Sequence, residues 1–300
     1  MSQRLVVNTL RTYLRHGHGC AQLAARLDDH LTRHPVTATG HTVDGITFPN
    51  LTTTDIIQRY LYLFGTWEPH LTAWIRRRLT PGDTFIDIGA NIGYYSLLAA
   101  HLTGPTGRVV AVEPSPHFTQ ALATAAHTNR LNNIRIVRAA ASDTTERITF
   151  YTPDTANLGN TTQVPPRDSS AAAFQAEAQP LPNLTTTREL TGARIIKIDA
   201  EGAEAAVIRG LAPAINQLHP SVELVIEVTP RLLAKQGLTP ADVTDPLTAA
   251  GFHAYRLNND YAAASYPRAR RHPIAPQRLT TPITDMSDVI FSRTDAASLP

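Results

Sequence analysis

Phe85-Ile86-Asp87-Ile88-Gly89-Ala90-Asn91-Ile92-Gly93-Tyr94-Tyr95 is an apolar strand ending in an acid, then a turn of small residues, then the opening of a helix. Such a turn brings backbone N–H groups and a helix N-terminus against a ligand at the edge of a parallel sheet. Gly89 and Gly93 supply close backbone approach or a positive φ. Upstream, Pro81-Gly82-Asp83 is a turn, and beyond it strands and helices alternate. Strands are predicted at 84–88, 108–113, 134–138, 194–199, 222–228, 252–257 and 288–292, with helices near 92–102, 117–130 and 240–250. Successive βα units imply parallel pairing with right-handed crossovers, so the fold class is α/β with a doubly wound, mostly parallel sheet.

Residues 1–80 read as an N-terminal helical extension or cap on a Rossmann-like domain spanning 81–300. Helical stretches around Leu5 to Leu14 and Ala21 to Leu31 give way to a Thr/Gly/Pro-rich passage with no legible chemistry. After Thr52-Thr53-Thr54-Asp55, the spacing of Ile57, Tyr60, Leu61 and Phe64 predicts a capped amphipathic helix. A second helix carries Trp67, Leu71, Trp74, Ile75 and Leu79 on one side and Arg76-Arg77-Arg78 as its solvated side. Residues 152–185, rich in Pro, Ala, Ser and Thr, keep neither period and read as a lid or flexible insertion. Pro267 to Gln277 reads as a basic loop.

Composition narrows the class. The 27 basic and 25 acidic side chains leave a formal charge of +2, too even for a nucleic-acid or anionic-membrane footprint. Cys20 is the sole cysteine, and no Cys/His cluster has metal-ligand spacing. No apolar run approaches the roughly 18 residues of a membrane span, and Arg4, Arg11 and Arg15 interrupt any secretory leader. A soluble cytoplasmic protein acting on a small molecule is expected.

The loop reads G-x-N-x-G, whereas a dinucleotide site needs G-x-G-x-x-G. A dinucleotide brings an anionic pyrophosphate to the helix start, but S-adenosylmethionine (SAM) brings an ammonium and a sulfonium, which an acid such as Asp87 suits. Glu113 ends the second strand, where a carboxylate accepts hydrogen bonds from ribose hydroxyls. Ser142 and Asp143 follow the third strand at the expected adenine edge, with a local Asx turn as the competing account. In the fourth strand Lys197 and Asp199 share one face of a segment that should be apolar, so each needs a partner: the other, Asp87 or Glu227. Glu201 and Glu204 then open the next helix, either as catalytic carboxylates or as favourable charge in its first turn.

Together these words resemble the FkbM family of SAM-dependent methyltransferases: Phe85 to Gly93, Val112-Glu113-Pro114, Ala141-Ser142-Asp143 and, above all, Ile196-Lys197-Ile198-Asp199-Ala200-Glu201-Gly202-Ala203-Glu204. The resemblance covers roughly 55–295 and includes Gly65-Thr66-Trp67-Glu68. It implies the seven-stranded class I methyltransferase sheet, its last strand antiparallel, and O-methylation of a hydroxyl on a natural product or sugar. The expected cofactor set is Glu68, Asp87, Gly89, Asn91, Gly93, Tyr94, Glu113, Ser115, Ser142, Asp143 and Asp199. The expected catalytic set is Asp199, Glu201 and Glu204, with Glu201 or Asp199 as general base. Other readings are N-methylation, magnesium held by Asp199 and neighbouring acids, a nicotinamide oxidoreductase, and a SAM-binding sensor without transfer.

Overall fold

The computed structural model describes residues 10–14, 20–152 and 172–300. Its strands are β1 (Thr37–His41), β2 (Thr47–Thr52), β3 (Thr84–Ile88), β4 (Arg108–Val112), β5 (Ile134–Val137), β6 (Ala140–Ala141), β7 (Glu146–Thr152), β8 (Ala172–Gln179), β9 (Ala193–Ile198), β10 (Glu223–Val228), β11 (His253–Leu257), β12 (Gln277–Arg278) and β13 (Ser287–Ser292). The central sheet has eight strands in the order β12-β11-β13-β10-β9-β3-β4-β5. β3, β4, β5, β9 and β10 pair in parallel, and β13 runs antiparallel between β10 and β11. The expected seven strands are all present, and the eighth is the two-residue edge strand β12. The stretch from Pro267 to Gln277, expected as loop, is partly regular: the helix Tyr266–Arg271 takes up its first half, and β12 begins at its end.

Each central strand feeds two cores, because its side chains alternate between the faces of the sheet. Phe85, Val109, Ile195, Val225 and Ile290 belong to one buried cluster. Ile86, Val110, Ile196, Leu224 and Val289 belong to the other. The second face is covered by the helices Glu204–Leu211 and Ala241–Ala249, among others. The first is covered by the helices Tyr94–Thr103 and Pro116–Thr128 and by the N-terminal segment.

That segment is not wholly helical. Between the helices Ala21–Arg33 and Ile56–Phe64, the passage without legible chemistry forms the antiparallel hairpin β1–β2. Leu27, Phe48, Tyr60, Phe64 and Trp74 share a cluster with strand residues Phe85 and Val109. Asp55 caps the helix Ile56–Phe64 by accepting from the Gln58 N–H at 2.9 Å, as its position after the threonines predicts. The arginine run is largely paired: Arg76 meets Asp44 at 2.5 Å and Arg78 meets Glu223 at 3.2 Å, leaving Arg77 exposed.

Part of the expected insertion is regular structure. Residues 172–179 form β8, which pairs with β7 and β6 in a small separate sheet, and Leu181–Leu184 is a short helix. Phe150 and Phe174 stack across the β7–β8 pair, with ring centroids 5.4 Å apart. The sequence of β8 hides this because its inward positions are small, as at Ala176 and Ala178, so the alternation is muted. The remainder of the expected lid, 153–171, lies outside the described residues. No helix among the described residues is long and apolar enough to cross a membrane.

Candidate active site

Period-two alternation also decides where the charges go. Asp87 lies two residues after Phe85, Lys197 two after Ile195, Glu227 two after Val225, and Asp288 two before Ile290, so all four project from the face that the N-terminal segment covers. Register aligns them: Asp87 is opposite Lys197 and Glu227 is opposite Asp288. They stand at the carboxyl edge of the parallel strands, where doubly wound sheets bind ligands. Glu68, N-cap of the helix Pro69–Arg78, is brought onto the same face by the N-terminal segment.

The glycine loop is tied to β4 and to the end of β9. Gly89 has φ 78°, and a Cβ there would lie 1.7 Å from the Asp199 carbonyl oxygen. Gly93 has φ 89° and abuts Leu122. The Asp199 N–H donates to the Ile88 carbonyl at 3.0 Å, so the loop and the Asp199 turn form one rigid edge. Asn91, at φ 51°, donates its N–H to Glu113 Oε2 at 2.8 Å, and Ser115 N–H donates to Oε1 at 2.9 Å. Ser115 therefore orients Glu113, and its hydroxyl also accepts from the Phe118 N–H as the N-cap of the next helix. Burial pushes the Glu113 carboxyl up to about 7, although those two N–H groups work the other way.

Asp87 is buried, with Oδ2 accepting from the Ser96 hydroxyl at 2.6 Å. Its Oδ1 has no partner among the described residues. Lys197 donates to Asp199 Oδ2 at 2.9 Å, which resolves the choice among its possible partners. Burial opposes the lysine charge, but Asp199, Asp87 and Glu68 outweigh it and hold the ammonium above its ordinary range. Its Nζ lies 5.2 Å from the Tyr95 ring centre, and the Tyr95 hydroxyl donates to Glu68 Oε2 at 2.6 Å.

Three residues expected in the site are engaged by other groups of the protein. Glu204, expected as catalytic, is buried and accepts from the N–H groups of Ala200 and Gly202, each at 3.0 Å. It is a scaffold for the turn that presents Glu201. Tyr94, expected at the cofactor, lies 3.0 Å from the Thr66 hydroxyl and 3.1 Å from that of Thr72, inside the N-terminal core. Asp143 is drawn to Arg209 at 2.7 Å, which holds its carboxyl below the usual range, and its Oδ1 accepts from the Ser142 hydroxyl at 3.3 Å.

Glu201 has φ 50°, uncommon for a residue with a side chain and of the kind that clusters at functional sites. Its side chain reaches solvent, yet the crowded rim withholds enough water, and Asp199 and Glu204 lie close enough, to push its carboxyl up to about 8.

Other side chains at this edge escaped the sequence reading. Asp288 sits opposite Glu227, Asn259 donates its amide to Asp288, and the Tyr261 hydroxyl donates to Glu68 Oε1 at 2.7 Å. The rule that flagged Lys197, a charge at the end of an apolar strand, also flags Glu227 and Asp288 as site residues. Nothing local marks Tyr261 or Asn259, which arrive from the loop after β11. Among the described residues one set of acids could hold a metal ion: Glu68, Glu227 and Asp288, with ligand atoms all within 4.8 Å of one another. The magnesium site expected around Asp199 is not that set.

Residues 87–254 match the model of the methyltransferase FkbM domain. The chain is 29% identical over 205 residues to the 31-O-demethyl-FK506 methyltransferase FkbM of Streptomyces tacrolimicus, covering 57% of this chain and 78% of that protein. A methyltransferase FkbM from Methylobacillus flagellatus, solved by crystallography, is 15% identical with a TM-score of 0.46, covering 79% of this chain and 52% of that one. The chain thus spans about half the length of that solved relative. A SAM-dependent O-methyltransferase from Thermotoga maritima is 11% identical with a TM-score of 0.41, covering 81% of this chain and 72% of that one.

Proposed function

The chain belongs to the FkbM methyltransferase family, and from that premise we propose that it transfers a methyl group from SAM to a hydroxyl of a small natural product or sugar-like acceptor, in the cytoplasm. The observation that carries this reading is the backbone contact between the glycine loop and the Asp199–Glu201 turn. It makes the cofactor half and the acid half of the edge a single preorganised unit.

The donor set suits SAM. Asp87 Oδ1, buried and without a partner among the described residues, is an acceptor for the cofactor's ammonium. Glu113 suits the ribose hydroxyls, with its direction fixed by Asn91 and Ser115. Ser142 and Asp143 serve the adenine end, Asp143 being shared with Arg209. When bound, SAM supplies an electrophilic methyl carbon on a sulfonium.

Glu201 accepts the acceptor's hydroxyl proton as the oxygen bonds to the methyl carbon and the carbon–sulfur pair returns to sulfur. A carboxyl lifted to about 8 is a stronger base, once ionised, than one at its ordinary value of 4.5. Asp199, neutralised by Lys197, orients the acceptor without adding a full charge.

Glu201→Gln should cut turnover by about 100-fold or more while SAM affinity stays within a few-fold, measured with methyl-labelled SAM and by calorimetry. Unchanged turnover removes Glu201 from the role. SAM at about 100 times its Kd should stabilise the protein by about 2.7 kcal/mol, and NAD should not. Label landing on nitrogen overturns the oxygen assignment, and binding without transfer to any acceptor makes the chain a SAM sensor.

A further inference from the structure

At the amino edge of the parallel strands, across the sheet from the transfer site, lies a cavity of about 480 Å³. Its walls are the end of the helix Tyr94–Thr103 with the loop after it, the start of β4, and the turn that joins the helix Pro116–Thr128 to the start of β5. That volume is in the range of small-molecule sites. Leu131 and Ile134 give the cavity an apolar surface, and Arg108, Arg130, Arg135 and His101 give it cationic and polar groups.

The charges there do not balance. Arg108 and Arg135 share a single carboxylate, Glu189, at 3.7 and 2.6 Å. The Arg130 guanidinium has no ion pair or hydrogen bond among the described residues. Asp83, in the turn beside the start of β4, gives its carboxylate to the Thr80 N–H and hydroxyl. The helix Tyr94–Thr103 points its negative end this way, but the Asn133 amide covers it by donating to the Ala100 and Gly104 carbonyls at 3.0 and 2.9 Å. Three guanidinium groups therefore face one carboxylate around one cavity.

Arg130 also stands where its backbone favours a different residue. The helix Pro116–Thr128 closes with the Arg130 N–H donating to the His127 carbonyl and the Leu131 N–H to the Ala126 carbonyl, each at 3.0 Å. This closure needs a left-handed residue, usually glycine. The helices Ile56–Phe64 and Tyr94–Thr103 do end on glycines of positive φ, Gly65 and Gly104. Arg130 takes that conformation at φ 55°, so the strain falls on the residue whose guanidinium lines the cavity, a pattern associated with functional positions.

We propose that this cavity binds a small organic phosphate, its head group held by Arg130 and Arg108 and its body resting on Leu131 and Ile134. A phosphate monoester is close to a dianion at neutral pH and matches the surplus of two positive charges, whereas a carboxylate matches half of it. The site is independent of the methyl-transfer reading.

Calorimetry on the full chain tests this with phenyl phosphate and inorganic phosphate as probes, at a pH of about 7.5. Phenyl phosphate should bind with a Kd below about 1 mM and about tenfold more tightly than inorganic phosphate, because only the ester reaches the apolar surface. Arg130→Gly should weaken phenyl phosphate by about tenfold or more, while Arg77→Ala, which removes an exposed arginine elsewhere, should leave it unchanged. The Tm of Arg130→Gly should equal or exceed that of the wild type, since glycine relieves the left-handed strain, so loss of binding is separated from loss of folding. Saturating SAM should leave phenyl phosphate affinity within about twofold. No binding of phenyl phosphate, equal affinity in Arg130→Gly, or displacement by SAM overturns the proposal. So does capture on anionic lipid vesicles without binding of phenyl phosphate, which would make the arginines a membrane contact.

Discussion

Glu113 is a buried carboxyl whose two oxygens are already oriented by backbone N–H groups, and its value of about 7 sets a pH dependence. Because the folded value lies above the ordinary 4.5, its contribution to stability is fully present below about 4.5 and is lost as pH rises towards 7. Glu113→Gln should therefore raise the Tm of the cofactor-free protein above pH 7, and it should weaken SAM binding by roughly 10- to 100-fold through the loss of a charge-assisted bond. Calorimetry at two pH values reads both, and unchanged SAM affinity would remove Glu113 from the ribose site. Glu201 gives the complementary pattern: only its ionised form takes a proton, so kcat should climb with pH through about 8. A flat profile there speaks for another base. Both residues were legible as acids at strand and helix junctions, but their protonation was not, because it depends on water excluded by segments distant in sequence.

At the scale of the element, the β3 turn is set by a contact that its own sequence does not contain. From sequence alone Gly89 could serve either close approach or positive φ, and the fold uses both, against the Asp199 carbonyl. Gly89→Ala should cost roughly 2–6 kcal/mol, the sum of left-handed strain and an overpacked contact with rigid backbone. Urea unfolding measures this, and a loss under about 1 kcal/mol would mean that the Asp199 turn moves freely. Glu204 shows the opposite case: its place in the first turn of a helix suggested either charge or chemistry, and the fold uses it to hold the Ala200 and Gly202 N–H groups. Strands such as β4 and β10 announced themselves by their apolar runs. β1 and β2 did not, because their residues include Gly40, Pro49 and Asn50, which obscure the alternation.

Across the whole molecule, residues 20–80 cover one face of the central sheet. Trp74, Leu71, Phe64 and Leu63 are fully buried in the cluster that contains Phe85, Leu97 and Tyr255. A fragment starting at residue 81 would expose that face, so it should lack a cooperative thermal transition and bind a hydrophobic dye such as ANS. A fragment that melts as sharply as the full chain would make residues 20–80 a separable domain. The same segment delivers Glu68 to the carboxyl edge, linking cover and site.

By itself the sequence determined the α/β class, the order of the principal strands and the run of acids at their ends, because strand period, glycine turns and apolar runs are properties of neighbouring residues. The tertiary structure alone decided which acids meet. β13 enters the sheet between β10 and β11 and sets Asp288 opposite Glu227, while the N-terminal segment and the loop after β11 bring Glu68 and Tyr261 to them. These contacts join residues far apart in the chain, Glu68 and Tyr261 by 193 positions, and only the packing of the sheet's covered face specifies them.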